Sequence, residues 1–214
     1  MRFGLFRIII QSFLFFGHLL LYFTLVSFLS VDSPLRRLTL KISLIVLFLS
    51  PIPASFLASR YSNLWVRWFY TATASWIGIV YLLVLASIVC WTLYGLAKLF
   101  HLPLNKKVLI EVLIGMALIA SLYGFINSGT IRITRITLQL HDLPNEWKGK
   151  HAVWVSDTHL GPVRKNGFAQ HITTMVQNLQ PDVVFIGGDL FDGEAVDLDR
   201  IIEPFSFFCF LSQD

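Results

Sequence analysis

Charge is scarce in this chain of 214 residues: 14% are Asp, Glu, Lys or Arg, against about a quarter in a soluble domain. With 55% hydrophobic residues and a mean hydropathy of +0.67, that shortage excludes an ordinary soluble protein and points to a membrane. Acids are scarcer still toward the N-terminus. Residues 1–135 hold twelve Lys/Arg and two acids, Asp32 and Glu111, whereas residues 136–214 hold five Lys/Arg and eleven acids. The basic pI of about 9.2 therefore belongs to the N-terminal part. The acidic C-terminal part argues against a nucleic-acid partner, which would need a basic face for the phosphate backbone. Cysteine is also rare. Cys90 and Cys209 form no close motif, so neither a disulfide framework nor a cysteine zinc site is available. Cys90 lies in an apolar run and reads as a small packed hydrophobe. There is no internal repeat, no Gly-x-x-x-Gly face and no low-complexity tract.

What is present, first, is a set of four runs free of Asp, Glu, Lys and Arg: Ile8–Val31 (24 residues), Ile42–Ser59 (18), Trp68–Ala97 (30) and Val112–Ile131 (20). A helix needs roughly 20 apolar residues to cross the hydrocarbon core. The pattern predicts about four transmembrane helices within residues 1–131, near 8–31, 42–59, 70–95 and 108–130. The second contains Pro51 and Pro53, so it reads as a kinked span or a re-entrant hairpin, with the span favoured. Ile8–Val31 has a basic start but is longer than the usual 7–15-residue signal-peptide core, and no small-residue cleavage site follows. It reads as a retained first span. Four spans would place six Lys/Arg on each side, so the positive-inside rule sets no orientation. Polar residues in these runs have ordinary explanations. His18 reads as a neutral imidazole bonded to a neighbouring helix rather than a proton relay. Glu111 reads as an interfacial carboxylate, and Tyr61, Trp65, Trp68 and Tyr70 as an interfacial belt.

From about Arg132 the composition changes. Ile131–Leu140 alternates apolar and polar residues and predicts a half-buried strand. Leu143–Lys150 is turn-rich. His151–Ser156 predicts a strand ending at Asp157. Phe168, Ile172, Met175 and Leu179 recur at helical spacing, with Pro181 beyond. Asp182–Ile186 predicts a buried strand closed by Gly187-Gly188, and residues from about Asp197 to Glu203 a second helix. Strand, helix, strand, helix implies α/β architecture with neighbouring parallel strands.

Two motifs stand just beyond the predicted strands: Ser156-Asp157-Thr158-His159, and Gly187-Gly188-Asp189-Leu190-Phe191-Asp192-Gly193. Functional groups of open α/β sheets collect beyond the carboxyl ends of their strands. Parallel neighbours would bring Asp157, His159 and Asp189 together, and carboxylates so close need a cation. A mixed Asp/His donor set suits Mn, Fe or Zn better than Ca or Mg. Gly187 and Gly188 would let the backbone turn sharply beside the site. The ordinary alternative is that these residues are strand-end caps. His141, His151 and His171 match neither motif and read as surface histidines.

Residues 151–193 resemble the start of the calcineurin-like metallophosphoesterase superfamily, in which D-x-H follows one core strand and G-D-x-x-D the next. Asp157 and His159 match the first pattern; Gly188, Asp189 and Asp192 match the second. The wording SDTHLG and GGDLFDG, below several spans, resembles most the membrane-anchored bacterial branch. The resemblance implies that residues 132–214 are the N-terminal part of a β-sandwich flanked by helices. It implies a dinuclear divalent-metal site, with Asp157 and His159 on the first ion, Asp189 bridging, and Gly188 and Asp192 supporting. It also implies hydrolysis of a phosphomonoester or phosphodiester, lipid-linked substrates included, by a multi-pass protein of the bacterial inner or plasma membrane. Its contacts would be the bilayer and the substrate, with no nucleic acid. The superfamily completes its site with a G-N-H-[DE] block, a lone His and G-H-x-H. After Asp192 this sequence has no Asn and no His. The expectation is a truncated product of low activity, with a strand near Pro204–Asp214. Two other readings stand beside it: a non-catalytic remnant of such an enzyme, and a small transporter with an appended domain.

Overall fold

The computed structural model describes residues 2–161, 163–164, 166–192 and 203–209. The helix expected from Asp197 and the Gly193 end of the second motif lie outside the described residues, apart from Glu203. In chain order the elements are α1 (Arg2–Phe28), α2 (Pro34–Leu49), α3 (Pro51–Ala58), α4 (Leu64–Leu99), α5 (Lys106–Asn127), β1 (Ala152–Val155), α6 (Asn166–Leu179) and β2 (Val183–Ile186). Short 3-10 turns cover Asn145–Trp147 and Glu203–Cys209. The chain divides into two compact units, Met1–Pro53 with Ala72–Thr130, and Ala54–Thr71 with Ile131–Asp214.

Four stretches are long and apolar enough to cross a membrane: Ile9–Phe28, Pro34–Ala58, Leu64–Leu99 and Lys106–Asn127. The helices outrun the charge-free runs. The second begins at Pro34, a residue preorganised for a first helical turn, and so takes in Arg36, Arg37 and Lys41. Long basic side chains near a span end can reach water while their stems stay in apolar surroundings. α2 breaks at Ser50 because Pro51 and Pro53 supply no N–H for an i→i−4 bond. α5 starts at Asn105, whose side chain accepts from the amides of Lys107 and Val108.

Apolar contacts among α1, α2, α4 and α5 build the first unit around Leu21, Leu44, Val80, Leu83, Ala86 and Ala117. In lipid, helix association rests on close packing and interhelical hydrogen bonds, and both occur here. A Cβ on Gly17 would stand 3.0 Å from Val84 Cγ2. Trp76 Nε1 donates to His18 Nε2 at 3.0 Å, and Trp91 Nε1 to Thr24 Oγ1 at 2.9 Å. His18 Nδ1 is 2.7 Å from the Leu14 carbonyl. With both ring nitrogens engaged this way, His18 is a neutral interhelical clamp. Cys90 is buried with Phe28 and Ile110. Glu111 pairs with Lys107 at 3.9 Å on an exposed helix face.

In the second unit β1 and β2 pair in parallel, Ala152 opposite Val183 and Val155 opposite Ile186. One face of this pair packs on α6. Val153, Val155 and Val184 join Leu160, Ala169, Ile172, Val176 and Phe205 in a small core. α6 turns Ala169, Ile172, Thr173 and Val176 inward, so the expected stripe is displaced. Phe168 packs beside that core, while Met175 and Leu179 are only half-buried. On the other sheet face, no described element covers the aromatic side chains. Trp154 is 69% exposed and sits against Phe185, which is also exposed, so β2 is not the fully buried strand its composition suggests.

Two further expectations fail here. Ile131–Leu140 forms no strand; Ile133, Ile136, Leu138 and Leu140 are exposed and no described strand pairs with them. A strand needs a neighbour for its backbone groups, and alternation cannot supply one. Residues 203–209 form a 3-10 turn rather than a strand, with Ser206 Oγ donating to the Glu203 carbonyl; the rest of that expected strand, 210–214, lies outside the described residues.

The strand starts are tied by Asp182. Its carboxylate accepts from the His151 amide at 2.8 Å and from Lys150 Nζ at 2.7 Å. The amide first, and the ammonium second, hold this carboxyl below the usual carboxylate range. A group depressed in the fold stabilises it above its unfolded value, near 3.9. That contribution is lost as pH falls through the lower folded value. On acidification below about pH 4, the wild type should therefore lose thermal stability more steeply than Asp182→Asn. Unfolding midpoints of the two proteins against pH check this; parallel curves would remove the assigned role. Topology gives a second expectation. Four crossings would leave position 4 and position 150 on one side of the membrane. Single cysteines placed there should react alike with an impermeant thiol reagent; opposite accessibility would mean that Pro34–Ala58 does not cross.

Candidate metal centre

β1 and β2 end at the same level, so the residues that follow them emerge side by side. Hydrogen bonding continues past the strands. Gly187 N donates to Val155 O at 2.7 Å, Asp157 N to Gly188 O at 3.1 Å and His159 N to Asp189 O at 3.1 Å. Leu160 N donates to Leu190 O at 2.9 Å, and Asp192 N returns to Leu160 O at 2.9 Å. Leu160 is fully buried in the core beneath and anchors the first turn.

This zipper collects the expected residues. Ligand-type atoms of Asp157, His159 and Asp189 all lie within 4.8 Å of one another, and all three side chains are exposed. Their backbones share a feature that sequence did not disclose. Asp157, His159 and Asp189 have φ of 56°, 45° and 55°, in the left-handed region where a non-glycine residue is strained. Asp and His tolerate it better than most residues, and such strain gathers at functional sites.

Asp192 stands where a supporting residue would. Its Oδ1 is 3.0 Å from His159 Nδ1. An Nδ1–H donated to that carboxylate fixes the ring and leaves Nε2 as the nitrogen able to bind a cation, a pairing common around ligating histidines. Gly161 permits the approach, since a Cβ there would lie 2.8 Å from Asp192 Cβ. Thr158 is buried between the two ligand-type neighbours, and its Oγ1 donates to Leu190 O at 2.8 Å. Arg164 Nη1 donates to Thr158 O at 3.2 Å. Sequence reading passed over Thr158, Gly161 and Arg164; the one available signal was their place within and just after the D-x-H run. His141, His151 and His171 are exposed and outside the cluster.

The backbone bends at Gly188, as expected, and the two glycines make different demands. Neither Gly187 nor Gly188 has positive φ. Gly187 is needed for close approach, because a Cβ would lie 2.7 Å from Ser156 Cβ and 3.0 Å from the Trp154 ring, whereas at Gly188 nothing lies within 4 Å. Gly187→Ala should thus destabilise the second unit by about 1–3 kcal/mol, the usual scale of overpacking, and Gly188→Ala should be near neutral. Thermal unfolding of both variants tests the contrast; equal effects would remove it.

Two carboxylates and one imidazole, close together and open to solvent, form a donor set that fits a divalent transition-metal ion. Similarity to known proteins agrees with that chemistry. A transmembrane protein with metallophosphoesterase domain from Danio rerio is 34% identical over 87 residues, covering 40% of this chain and 20% of that protein. Its counterpart from Bos taurus is 33% identical over the same length and coverage. The chain thus spans about a fifth of the length of these curated relatives. No protein-family profile matches the chain, and no solved structure matches it. The four apolar helices and the relatives support a membrane protein of metallophosphoesterase-like character.

Proposed function

We propose that the chain is a membrane-bound, metal-dependent phosphoesterase of the calcineurin-like superfamily, whose metal centre forms on Asp157, His159 and Asp189. The observation that carries this reading is the convergence of those three side chains at the carboxyl ends of two parallel strands. The wording of both motifs supports the membrane-anchored branch, with the α/β part built as the start of the superfamily's sandwich. Residues 1–131 act as the multi-pass anchor and residues 132–214 carry the chemistry.

A divalent cation at such a site supplies Lewis-acid charge and lowers the pKa of coordinated water; Mn, Fe and Zn suit the donors. Asp157 and His159 hold the first ion. Asp189, with two carboxylate oxygens, is the residue able to reach a second. Asp192 holds the His159 ring by its Nδ1–H. The cluster is open to solvent, and its substrate is a phosphoester, lipid-linked ones included. The acidic composition of this part keeps nucleic acid out of the reading.

Taken alone, these 214 residues offer no Asn or His after Asp192 for a second ion's shell or a leaving group. Loose positioning costs on the order of 10²-fold, and a missing general acid a further 10²–10⁴-fold. Purified in detergent, these 214 residues should bind Mn(II) or Zn(II), most weakly after Asp189→Ala if that residue bridges. They should turn over bis-p-nitrophenyl phosphate near background. Equal metal content in wild type and in the Asp157→Ala/Asp189→Ala double variant would sink the site. Robust turnover abolished by Asp157→Ala would overturn the low-activity expectation. A non-catalytic protein of the same descent is the second reading. It predicts metal binding with no turnover.

A further inference from the structure

We propose that Thr158 is a positioning residue, whose buried hydroxyl locks the two ligand-bearing turns in register; this rests on the metal-centre reading above. Thr158 lies between Asp157 and His159, yet its side chain points away from the exposed cluster and is 4% exposed. Its Oγ1 donates to Leu190 O at 2.8 Å, the carbonyl directly after Asp189. One side chain thereby joins the residue between two ligands to the residue after the third.

The neighbouring bonds show why a lock is needed. Asp157 N and His159 N donate across the same gap to Gly188 O and Asp189 O, each at 3.1 Å. These are ordinary lengths, but they hold backbones at φ 56°, 45° and 55°. Each such residue has an easier conformation nearby. If one turn relaxes, its carboxylate or imidazole leaves the cluster. The Thr158 bond is shielded from water, so it is less readily exchanged for solvent than bonds at the exposed rim. From the other side Arg164 Nη1 donates to Thr158 O at 3.2 Å, and the Gly161 amide donates to Arg164 O at 2.8 Å. The Arg164 guanidinium also lies over the Phe168 ring at 4.9 Å, on the helix that forms the core. Thr158 is therefore held on both sides, through its hydroxyl to the second turn and through its carbonyl toward α6.

The distinguishing variants are Thr158→Val, of nearly equal shape but without the donor, and Thr158→Ser, which keeps it. Hydrogen exchange of the full chain in detergent, without metal, reads the lock directly. Thr158→Val should raise exchange at the amides of Asp157, His159 and Leu160 by about fivefold to tenfold, the scale of one net hydrogen bond. Protection in β1 and α6 should stay as in wild type, and Thr158→Ser should leave both unchanged. Mn(II) titration followed by the signal of the free ion is the second readout. Thr158→Val should weaken binding about tenfold or more, the usual scale for residues that orient ligands, and Thr158→Ser should restore it. Unchanged exchange at the three amides in Thr158→Val overturns the proposal. So does a loss of protection that spreads through β1 and α6, which would make the hydroxyl a general stabiliser of the fold. Mn(II) binding equal in wild type and Asp157→Ala would instead overturn the metal-centre reading, and the exchange result then decides the lock alone.

Discussion

Parallel pairing of two four-residue strands determines where each candidate ligand stands. Because Val155 faces Ile186, Asp157 and Asp189 leave the sheet at matching heights. An antiparallel pair would send one motif to the opposite end. A slip of β2 by one residue would exchange its faces and turn Val184 away from α6. The ladder does not stop with the strands but passes through Gly187, Asp157, His159 and Leu160 to Asp192. Those bonds, with Leu160 buried beneath, hold three non-glycine residues in the left-handed region, a cost on the order of 1–3 kcal/mol each. The strain falls on the three residues of the candidate cluster, and the compensation comes from the ladder that runs through them and from buried Leu160.

The same rule of polar satisfaction governs the apolar half by other means. Helix backbones satisfy themselves, so only side chains need partners away from water. His18 finds Leu14 O and Trp76, and Thr24 finds Leu20 O and Trp91. Both clamps join α1 to α4. His18 thus has the interhelical partner that its place in an apolar run suggested.

How much of this was legible in sequence depends on the range of each interaction. The four apolar runs were visible because crossing a membrane is a demand on composition alone. α6 was visible in its helical spacing and β1 and β2 in short apolar runs, and the convergence of Asp157, His159 and Asp189 followed from parallel pairing. Misreadings arose where a residue's neighbour lies far along the chain. Ile131–Leu140 alternates as a strand does, yet alternation carries no partner. The Gly187-Gly188 pair reads as a turn, whereas one glycine answers to Ser156 and Trp154 and the other to nothing nearby. Thr158 was passed over because its acceptor, Leu190 O, is thirty-two residues away.

The site and the stability of its unit are coupled through charge. The second unit has a small core on one sheet face, with Trp154 and Phe185 exposed on the other. A thin core leaves little margin against local opening. Into this margin the fold places two carboxylates whose oxygens come within 4.8 Å, a repulsion that grows where solvent screens less. A cation that binds only the assembled cluster stabilises the folded form by mass action. It would oppose the repulsion and hold the strained turns at the same three residues. Ligand geometry and fold stability are then two readings of one equilibrium. A substitution that loosens the turns should weaken cation binding and lower the stabilisation that the cation confers, even when it touches no ligand atom.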